Sequence, residues 1–273
     1  MRSDIKISIV TPSFNQGRYI EETILSVLNQ NCSNIEHIVV DGGSIDDTLT
    51  ILARYEHLKW ISEPDRGQSD ALNKGFKMAT GNWILWLNSD DILVPNALQS
   101  YIDASFKNKD ANVIHGYVIF FKDITNDIFR RQYFLKHNKF RTFYRVLTHP
   151  SSGTLFKAEL LKNNPLDVTF HYMMDSEWYM RCADFLNLVV VNKFTVKFRI
   201  SETNKTSDQI LTGRLNHQQE YENRLLINNY ALPLLSRYPD RFREKVFHFK
   251  KSYFKYLYRL SKIHLYIYDF IKH

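Results

Sequence analysis

Asp90 and Asp91 carry the first chemistry to be read from this chain, because two adjacent carboxylates close an apolar run, Trp83 to Leu87, in the string Asn88-Ser89-Asp90-Asp91. Paired acids at the carboxyl end of a buried central strand set two hard oxygen donors at the crevice of an open α/β sheet, close enough to hold a divalent cation. Such a cation can hold a diphosphate in turn. The alternative is that the two acids begin a loop and cap the helix opened by Pro95.

Three segments upstream each lead a strand into a polar turn. Thr11-Pro12-Ser13-Phe14-Asn15 could hold a nucleobase by stacking on Phe14 and by backbone hydrogen bonds, or be a plain strand-to-helix turn. In Asp41-Gly42-Gly43-Ser44 the glycines allow close backbone approach. Asp41 can accept a hydrogen bond from a base imide, from a ribose hydroxyl, or from its own turn. The third string runs from Glu63 to Gly75, with Asp65 and Gly67 at the entrance to a helix. Lys74 lies one turn beyond Asp70, where the two can be a solvated ion pair. Three strand ends side by side would converge on one crevice, which favours a nucleotide-facing role for part of this string. A later cluster, Met173 to Arg181, offers Asp175 as a helix cap and Glu177 with Arg181 as a surface pair.

These groups need a scaffold, and the first hundred residues alternate strand-like and helix-like segments as a parallel sheet with covering helices would. Strands are expected at Ile5 to Val10, Ile35 to Val40, Leu58 to Ile61 and Trp83 to Leu87, and helices at Gln16 to Leu28, Asp46 to Tyr55 and Ser69 to Met78. Beyond residue 110 the strands (Val113 to Phe121, Ile128 to Phe134, Ser152 to Phe156) lack regular crossovers, so a mixed, partly antiparallel second half is expected. A helix from Met174 to Phe185 and strands at Leu188 to Val191 and Val196 to Ile200 follow. From about Asp208 the chain reads as helical, with breaks near Pro233 and Pro239.

With 44% hydrophobic and 24% charged residues over 273 positions, the chain can bury a sizeable core. No apolar stretch approaches the roughly 18 residues of a membrane span, and the start shows no secretory pattern, so a cytoplasmic protein is expected. Cys32 and Cys182 suggest neither a disulfide framework nor a zinc site. The net charge of +7 is matched by the segment from Arg237 to His273, with ten Lys or Arg against three Asp or Glu. A balanced main domain argues against nucleic acid as a partner. In the tail Val246, Phe249, Tyr253, Tyr256, Leu257, Leu260, Ile263 and Ile267 recur at helical spacing among Lys250, Lys251, Lys255, Arg259 and Lys262. That amphipathic pattern suits either an anionic membrane surface, at the inner face of the plasma membrane, or docking on the main domain or a second subunit in a homodimer.

The ordered set TPSFNQ, VVDGGSIDDT, EPDRGQSDALNKG, GNWILWLNSDD and MMDSEWYMR resembles the family-2 glycosyltransferases, inverting nucleotide-sugar enzymes, over roughly the first 200 residues. The resemblance implies an α/β GT-A (Rossmann-like) fold, with a mixed, mainly parallel sheet flanked by helices and a C-terminal helical extension. A catalytic domain would span 1–206 and a basic, aromatic extension 207–273. It further implies that Thr11, Pro12, Phe14, Asn15 and Asp41 surround the base and ribose of a nucleotide-sugar donor, UDP-linked by preference, with Asp65, Gln68 and Asp70 on the same side. Asn88, Ser89 and Asp90 would continue that donor site, and Asp90 with Asp91 would hold Mg²⁺ or Mn²⁺ on the diphosphate. Asn88 stands where the family usually has its first acid.

By the same resemblance Asp175 is the general base, with Glu177 the second choice, and the acceptor is a hydroxyl of a glycan or lipid-linked glycan in cell-surface polysaccharide synthesis. His149, in His149-Pro150-Ser151-Ser152-Gly153-Thr154, falls in an acceptor-side loop and touches donor sugar or acceptor, or makes a structural hydrogen bond. Phe198 to Thr206 resembles a loop that closes over the diphosphate, where Arg199 or Lys205 could neutralise phosphate and Ser201 replaces a frequent metal-ligating His. Asn88 and Ser201 also support a rival reading, a non-catalytic nucleotide-sugar- or glycan-binding module.

Overall fold

The computed structural model describes residues 5–133, 151–201, 204–205 and 216–231. His149 and nearly all of the expected tail helix lie outside the described residues. By compactness the chain divides into a unit of residues 1–222 and a second of residues 223–273. Glu222, the last residue of the first unit, is hydrogen-bonded to backbone at 171–173 in the same unit. Among the described residues of the second, a helix ends in a π turn, Ile227–Ala231.

The first unit begins as the alternation requires: β1 (Ile7–Ser13), α1 (Ile20–Leu28), β2 (Ile35–Asp41), α2 (Thr48–Leu52), β3 (Leu58–Ser62), α3 (Gln68–Met78) and β4 (Trp83–Trp86). β1, β2 and β4 are buried almost throughout, which is why they read as continuous apolar runs. There follow β5 (Ile92–Leu93), α4 (Ala97–Lys107), β6 (Val113–Lys122), β7 (Ile128–Gln132), β8 (Thr154–Lys157), α5 (Ala158–Asn163), α6 (Met174–Cys182), β9 (Leu188–Ile200) and α7 (His217–Leu226). The sheet order is β3-β2-β1-β4-β8-β6-β9-β5, with β7 paired to β6. β3, β2, β1 and β4 run parallel, and β8 is antiparallel to both β4 and β6.

Three elements differ from expectation. Residues 188–200 form one strand, since the polar Asn192-Lys193 interruption is absorbed by register shifts opposite His115 to Val118. Gly116 makes this approach possible, because a Cβ there would lie 2.1 Å from Thr195 Oγ1. α1 starts at Ile20, the preceding residues forming a turn in which Tyr19 and Ile20 donate to the Gln16 carbonyl. β5 was not expected; only two residues long, it pairs with Val196 and Lys197 of β9 and so anchors the chain directly after Asp91.

One core cluster joins Ile7, Ile9, Trp83, Leu85 and Leu87 to Leu98 and Tyr101 of α4 and to Val196 and Phe198 of β9. A second packs Ile20 and Ile24 of α1 on Val39, Ile51, Leu52 and Leu58. At about 25 cal/mol per Å² of apolar surface removed from water, this packing is what holds the strand ends in place.

Candidate functional site

The chain leaves β1 toward β2 on one side and returns to β4 on the other, so the carboxyl ends of β1 and β4 flank the point where strand order reverses, and a crevice opens there. The β1 end brings Phe14, 58% exposed, and Asn15, held at a φ of 52° in the left-handed region that Asn tolerates. Asn15 is locked to the β2 turn, its N–H donating to Ser44 Oγ at 2.7 Å and its Oδ1 accepting from Ile45 N at 2.9 Å. Pro12 is buried within β1. Thr11 points into the sheet, with Oγ1 3.0 Å from His37 Nε2, so its side chain does not face the crevice.

Asp41 is fully buried, and its carboxylate accepts from Gly43 N (3.1 Å), Ser44 N (2.8 Å), Ser62 Oγ (2.7 Å) and Ser44 Oγ (2.5 Å). Four donors fill a carboxylate's usual capacity, so Asp41 shapes the turn. Asp65 accepts from Gly67 N at 2.7 Å and abuts Gly42, where an added Cβ would lie 2.6 Å from its Oδ2. The β2 and β3 ends therefore meet, as expected. Asp70 takes the Arg66 N–H (3.2 Å) and guanidinium (3.3 Å), with Lys74 3.9 Å away, and is an ion-paired helix-start residue. Burial, the largest single influence, pushes its pKa up, but the Arg66 hydrogen bonds together with the Arg66 and Lys74 charges outweigh it and hold the pKa below the usual value.

Gln68 donates from Nε2 to Asn88 Oδ1 at 2.9 Å, and Trp86 Nε1 donates to the same oxygen at 2.8 Å. Two N–H donors on one side-chain oxygen account for Asn88 as an amide that accepts here. Thr23 Oγ1 of α1 donates to the carbonyls of Ser89 and Asp91, at 2.9 and 2.8 Å, and holds the acidic turn to the helix. Arg199 does most of the remaining fixing. Its N–H donates to Asp91 Oδ1 at 3.1 Å and its Nε to the Asp90 carbonyl at 3.0 Å, while its guanidinium pairs with Asp123 at 2.8 Å and with Glu22. Arg199 is 4% exposed and sits over the rings of Tyr19 and Phe121. Arg199, one of the two cations expected near the phosphate, has its guanidinium engaged in the framework beneath the acid pair.

Burial pushes Asp90 up to about 6, while Arg199 and Asn204 oppose the shift. Asp91 is pushed well above the usual carboxylate range, by burial first and by the Asp90 charge second. Asp91 Oδ2 has no hydrogen-bond partner among the described residues. Two acids that destabilise each other's charge, one with an oxygen lacking a donor, fit a divalent cation, whose charge would relieve both. Among the described residues no group of three or more His, Cys, Asp or Glu gathers for a metal. Ser201, at the position noted for its missing imidazole, donates from N (2.5 Å) and Oγ (2.8 Å) to Asn204 Oδ1, and Asn204 Nδ2 in turn donates to Asp90.

Asp175 belongs to the second position of α6; the cap position is Met173, so the expected cap role falls away. Its Oδ1 accepts from Ser176 N at 2.7 Å, and its Oδ2 lies 3.4 Å from Ser151 Oγ. Burial raises its pKa to about 6 against the pull of those hydrogen bonds. Glu177, by contrast, is 1% exposed and held by Arg181 through Nε (2.7 Å) and Nη2 (3.0 Å), a bidentate pair with a buried carboxylate and a partly exposed guanidinium where a surface pair was expected. Behind Asp175, His115 joins Thr154 Oγ1 (2.8 Å) to the Tyr179 hydroxyl (3.0 Å).

The two acid clusters, 84 residues apart in sequence, are bridged by tandem serines: Ser152 Oγ accepts from Asn88 N of the acidic turn at 3.0 Å, while Ser151 Oγ reaches Asp175 Oδ2 at 3.4 Å. Gly153, at a φ of 77°, turns the chain so that its N–H donates to the Trp86 carbonyl at 2.7 Å. These serines were visible in the sequence as part of a loop, but nothing in their spacing marks them as a bridge.

A sheet of this order, with an acid pair at its strand-order reversal, defines the GT-A class of glycosyltransferases. Staphylococcus aureus TarS, residues 1–349, in complex with UDP-GlcNAc, superposes with a TM-score of 0.60 at 19% identity, covering 74% of this chain and 61% of that one. The mannosyltransferase PcManGT from Pyrobaculum calidifontis, in complex with GDP-Man and Mn²⁺, gives 0.56 at 18% identity, covering 76% and 60%. Residues 8–166, more than half of the sequence, match the glycosyl transferase family 2 model, and the chain belongs to that family. An uncharacterized glycosyltransferase of Rickettsia prowazekii is 39% identical over 114 residues, which are 41% of this chain and 36% of that relative. The poly(ribitol-phosphate) beta-N-acetylglucosaminyltransferase TarP of Staphylococcus aureus is 26% identical over 227 residues, 75% of this chain and 68% of TarP. The chain thus spans little more than a third of the Rickettsia relative's length. No helix among the described residues is long and apolar enough to cross a membrane.

Proposed function

We propose that the chain transfers a sugar, with inversion, from a nucleotide diphosphate donor to a hydroxyl of a glycan or lipid-linked glycan in cell-surface polysaccharide synthesis. A UDP-sugar is the preferred donor, supported by the UDP-GlcNAc bound in TarS. The observation that supports the reading best is the Ser151-Ser152 pair, one serine bonded to the Asn88 backbone in the acidic turn and the next to Asp175.

The acceptor oxygen attacks the anomeric carbon as the bond to the diphosphate oxygen breaks, the bonding pair leaving with the diphosphate and the acceptor proton passing to Asp175. A carboxylate raised to about 6 is ionised at neutral pH and more basic than an ordinary Asp, which suits a general base. Phe14 offers a stacking face for the base, with Asn15 and the Asp41 turn fixing the loop around it. Asp90 and Asp91 would hold Mg²⁺ or Mn²⁺, which when bound offsets charge on the departing diphosphate. Arg199 holds the Asp91 carboxylate through its N–H and the Asp90 backbone through its guanidinium, Asn204 bonds the Asp90 carboxylate, and Gln68 keeps Asn88 beside them. Glu177, paired to Arg181, keeps a supporting place in α6.

The test is release of UDP from UDP-GlcNAc and related donors in the presence of a polyol-phosphate or glycan acceptor, with Mn²⁺ or Mg²⁺ and with EDTA. Metal-dependent release that needs acceptor supports the enzyme. Donor binding without release under every acceptor would favour the binding-module reading.

A further inference from the structure

Glu222 lies beyond the stretch matched by the family and in none of the strings that suggested chemistry. It is 1% exposed, and its carboxylate accepts from three successive backbone N–H groups: His171 at 2.9 Å, Tyr172 at 2.9 Å and Met173 at 2.8 Å. Gln218 Nε2 adds a fourth bond at 2.9 Å. The three amides lead into α6, the last of them at its cap position, where a helix start leaves N–H donors without partners. Met173, at the cap position, makes no side-chain cap bond. A buried carboxylate from about fifty residues downstream fills that gap, with its charge at the positive end of the helix.

The register of α7 that delivers Glu222 is itself fixed. Asn216 N donates to Gln219 Oε1 at 2.9 Å, and Gln219 N donates to Asn216 Oδ1 at 2.8 Å. This reciprocal capping box sets the first turn of the helix and with it the direction of residue 222. From the opposite side α3 grips the same segment: Asn73 exchanges two bonds of 2.9 Å with the Leu166 backbone, and Ser69 Oγ donates to the Phe170 carbonyl at 3.2 Å. The turn that leads into Asp175 is therefore clamped between the donor-side helix and Glu222.

We propose that Glu222 is a positioning residue for sugar transfer, its carboxylate fixing the 171–173 backbone and through it the place and desolvation of the Asp175 carboxylate. This rests on the reading of Asp175 as the base. Because small misplacement of a reacting group is costly, turnover should fall about 10-fold in Glu222→Gln, which keeps one accepting oxygen, and about 100-fold in Glu222→Ala. UDP affinity, measured on the full chain by calorimetry, should stay within about 2-fold of the parent, the donor turns being built from other residues. The acid limb of turnover, set near pH 6 by Asp175, should move down toward the ordinary carboxylate range as the loosened turn admits water. Amide exchange at 171–173 should quicken.

A purely structural Glu222 would lower the melting temperature and UDP affinity together and leave the acid limb in place; that result, or unchanged turnover, overturns the proposal. Should the Ala variant fail to fold, the Gln variant carries all four readouts. Asp175→Asn separates the two possible failures. If it abolishes transfer while the Glu222 variants keep the parental rate, only the role of Glu222 is wrong; if it transfers normally, the base reading falls and this proposal with it.

Discussion

The two ends of the parallel sheet hold buried acids of the same chemistry in opposite states. At the amino end of β2, Glu36 accepts from Ser8 Oγ (2.5 Å), Lys59 Nζ (2.7 Å), Thr80 N (2.7 Å) and Thr80 Oγ1 (2.8 Å). Burial pushes this carboxyl up, but the Lys59, Ser8 and Thr80 hydrogen bonds win and draw it down to about 2. At the carboxyl end Asp41 too is filled with donors, but at the remaining acids burial wins: Asp90 and Asp175 rise to about 6 and Asp91 rises further. Depth alone does not decide the state of a carboxylate. The number of donors the fold supplies does, and a fold that withholds them leaves groups poised for ligands or protons.

The contrast can be broken most directly at Asp175. Asp175→Asn should cut transfer about 1000-fold while UDP affinity holds, since an amide cannot take the acceptor proton. Normal transfer by this variant, measured by product formation, would remove the functional half of the comparison. Asp91→Asn should cost about 100-fold in turnover and erase any melting-temperature gain that Mn²⁺ adds to UDP, as one ligand charge is lost. A metal-dependent shift that survives in Asp91→Asn would argue against the acid pair as the cation's seat.

On the structural side, Glu36→Gln should destabilise the protein by about 2–4 kcal/mol at pH 7 in urea unfolding, with donor affinity unchanged. The folded pKa is depressed, so the stabilisation is present above about 4.5 and disappears as pH falls toward 2; the gap between parent and variant should close over that window. Phe14→Ala should raise the donor KM about 10-fold through lost base stacking and leave stability nearly unchanged, because the ring is exposed. Asp175 has a raised pKa, so the folded state is favoured below about 4 and loses that advantage as pH rises through about 6. Asp175→Asn should therefore be more stable than the parent at pH 7.5, by up to about 3 kcal/mol, and equal to it near pH 4.

Period and punctuation in the sequence located β1 to β4 and α3 because these elements are buried on regular faces, and burial leaves an apolar imprint of 2 or 3.6 residues. The same imprint failed at β5, whose two residues are too few to show a period, and at β9, where a bulge hides a continuous strand behind polar residues. The acids at the strand ends were legible as residue types at turn positions. Their partners were not: Arg199 beneath Asp91, the serines between Asp91 and Asp175, and Glu222 behind α6 act across separations that leave no local trace.

What the sequence determined by itself was therefore the order of the layers and the supply of carboxylates, because hydrophobic periodicity and turn chemistry act over a few residues. Tertiary structure alone decided which carboxylates are neutralised by donors and which are left short of them. That depends on groups brought together from distant parts of the chain, in an interior where a missing hydrogen bond shifts a pKa by units.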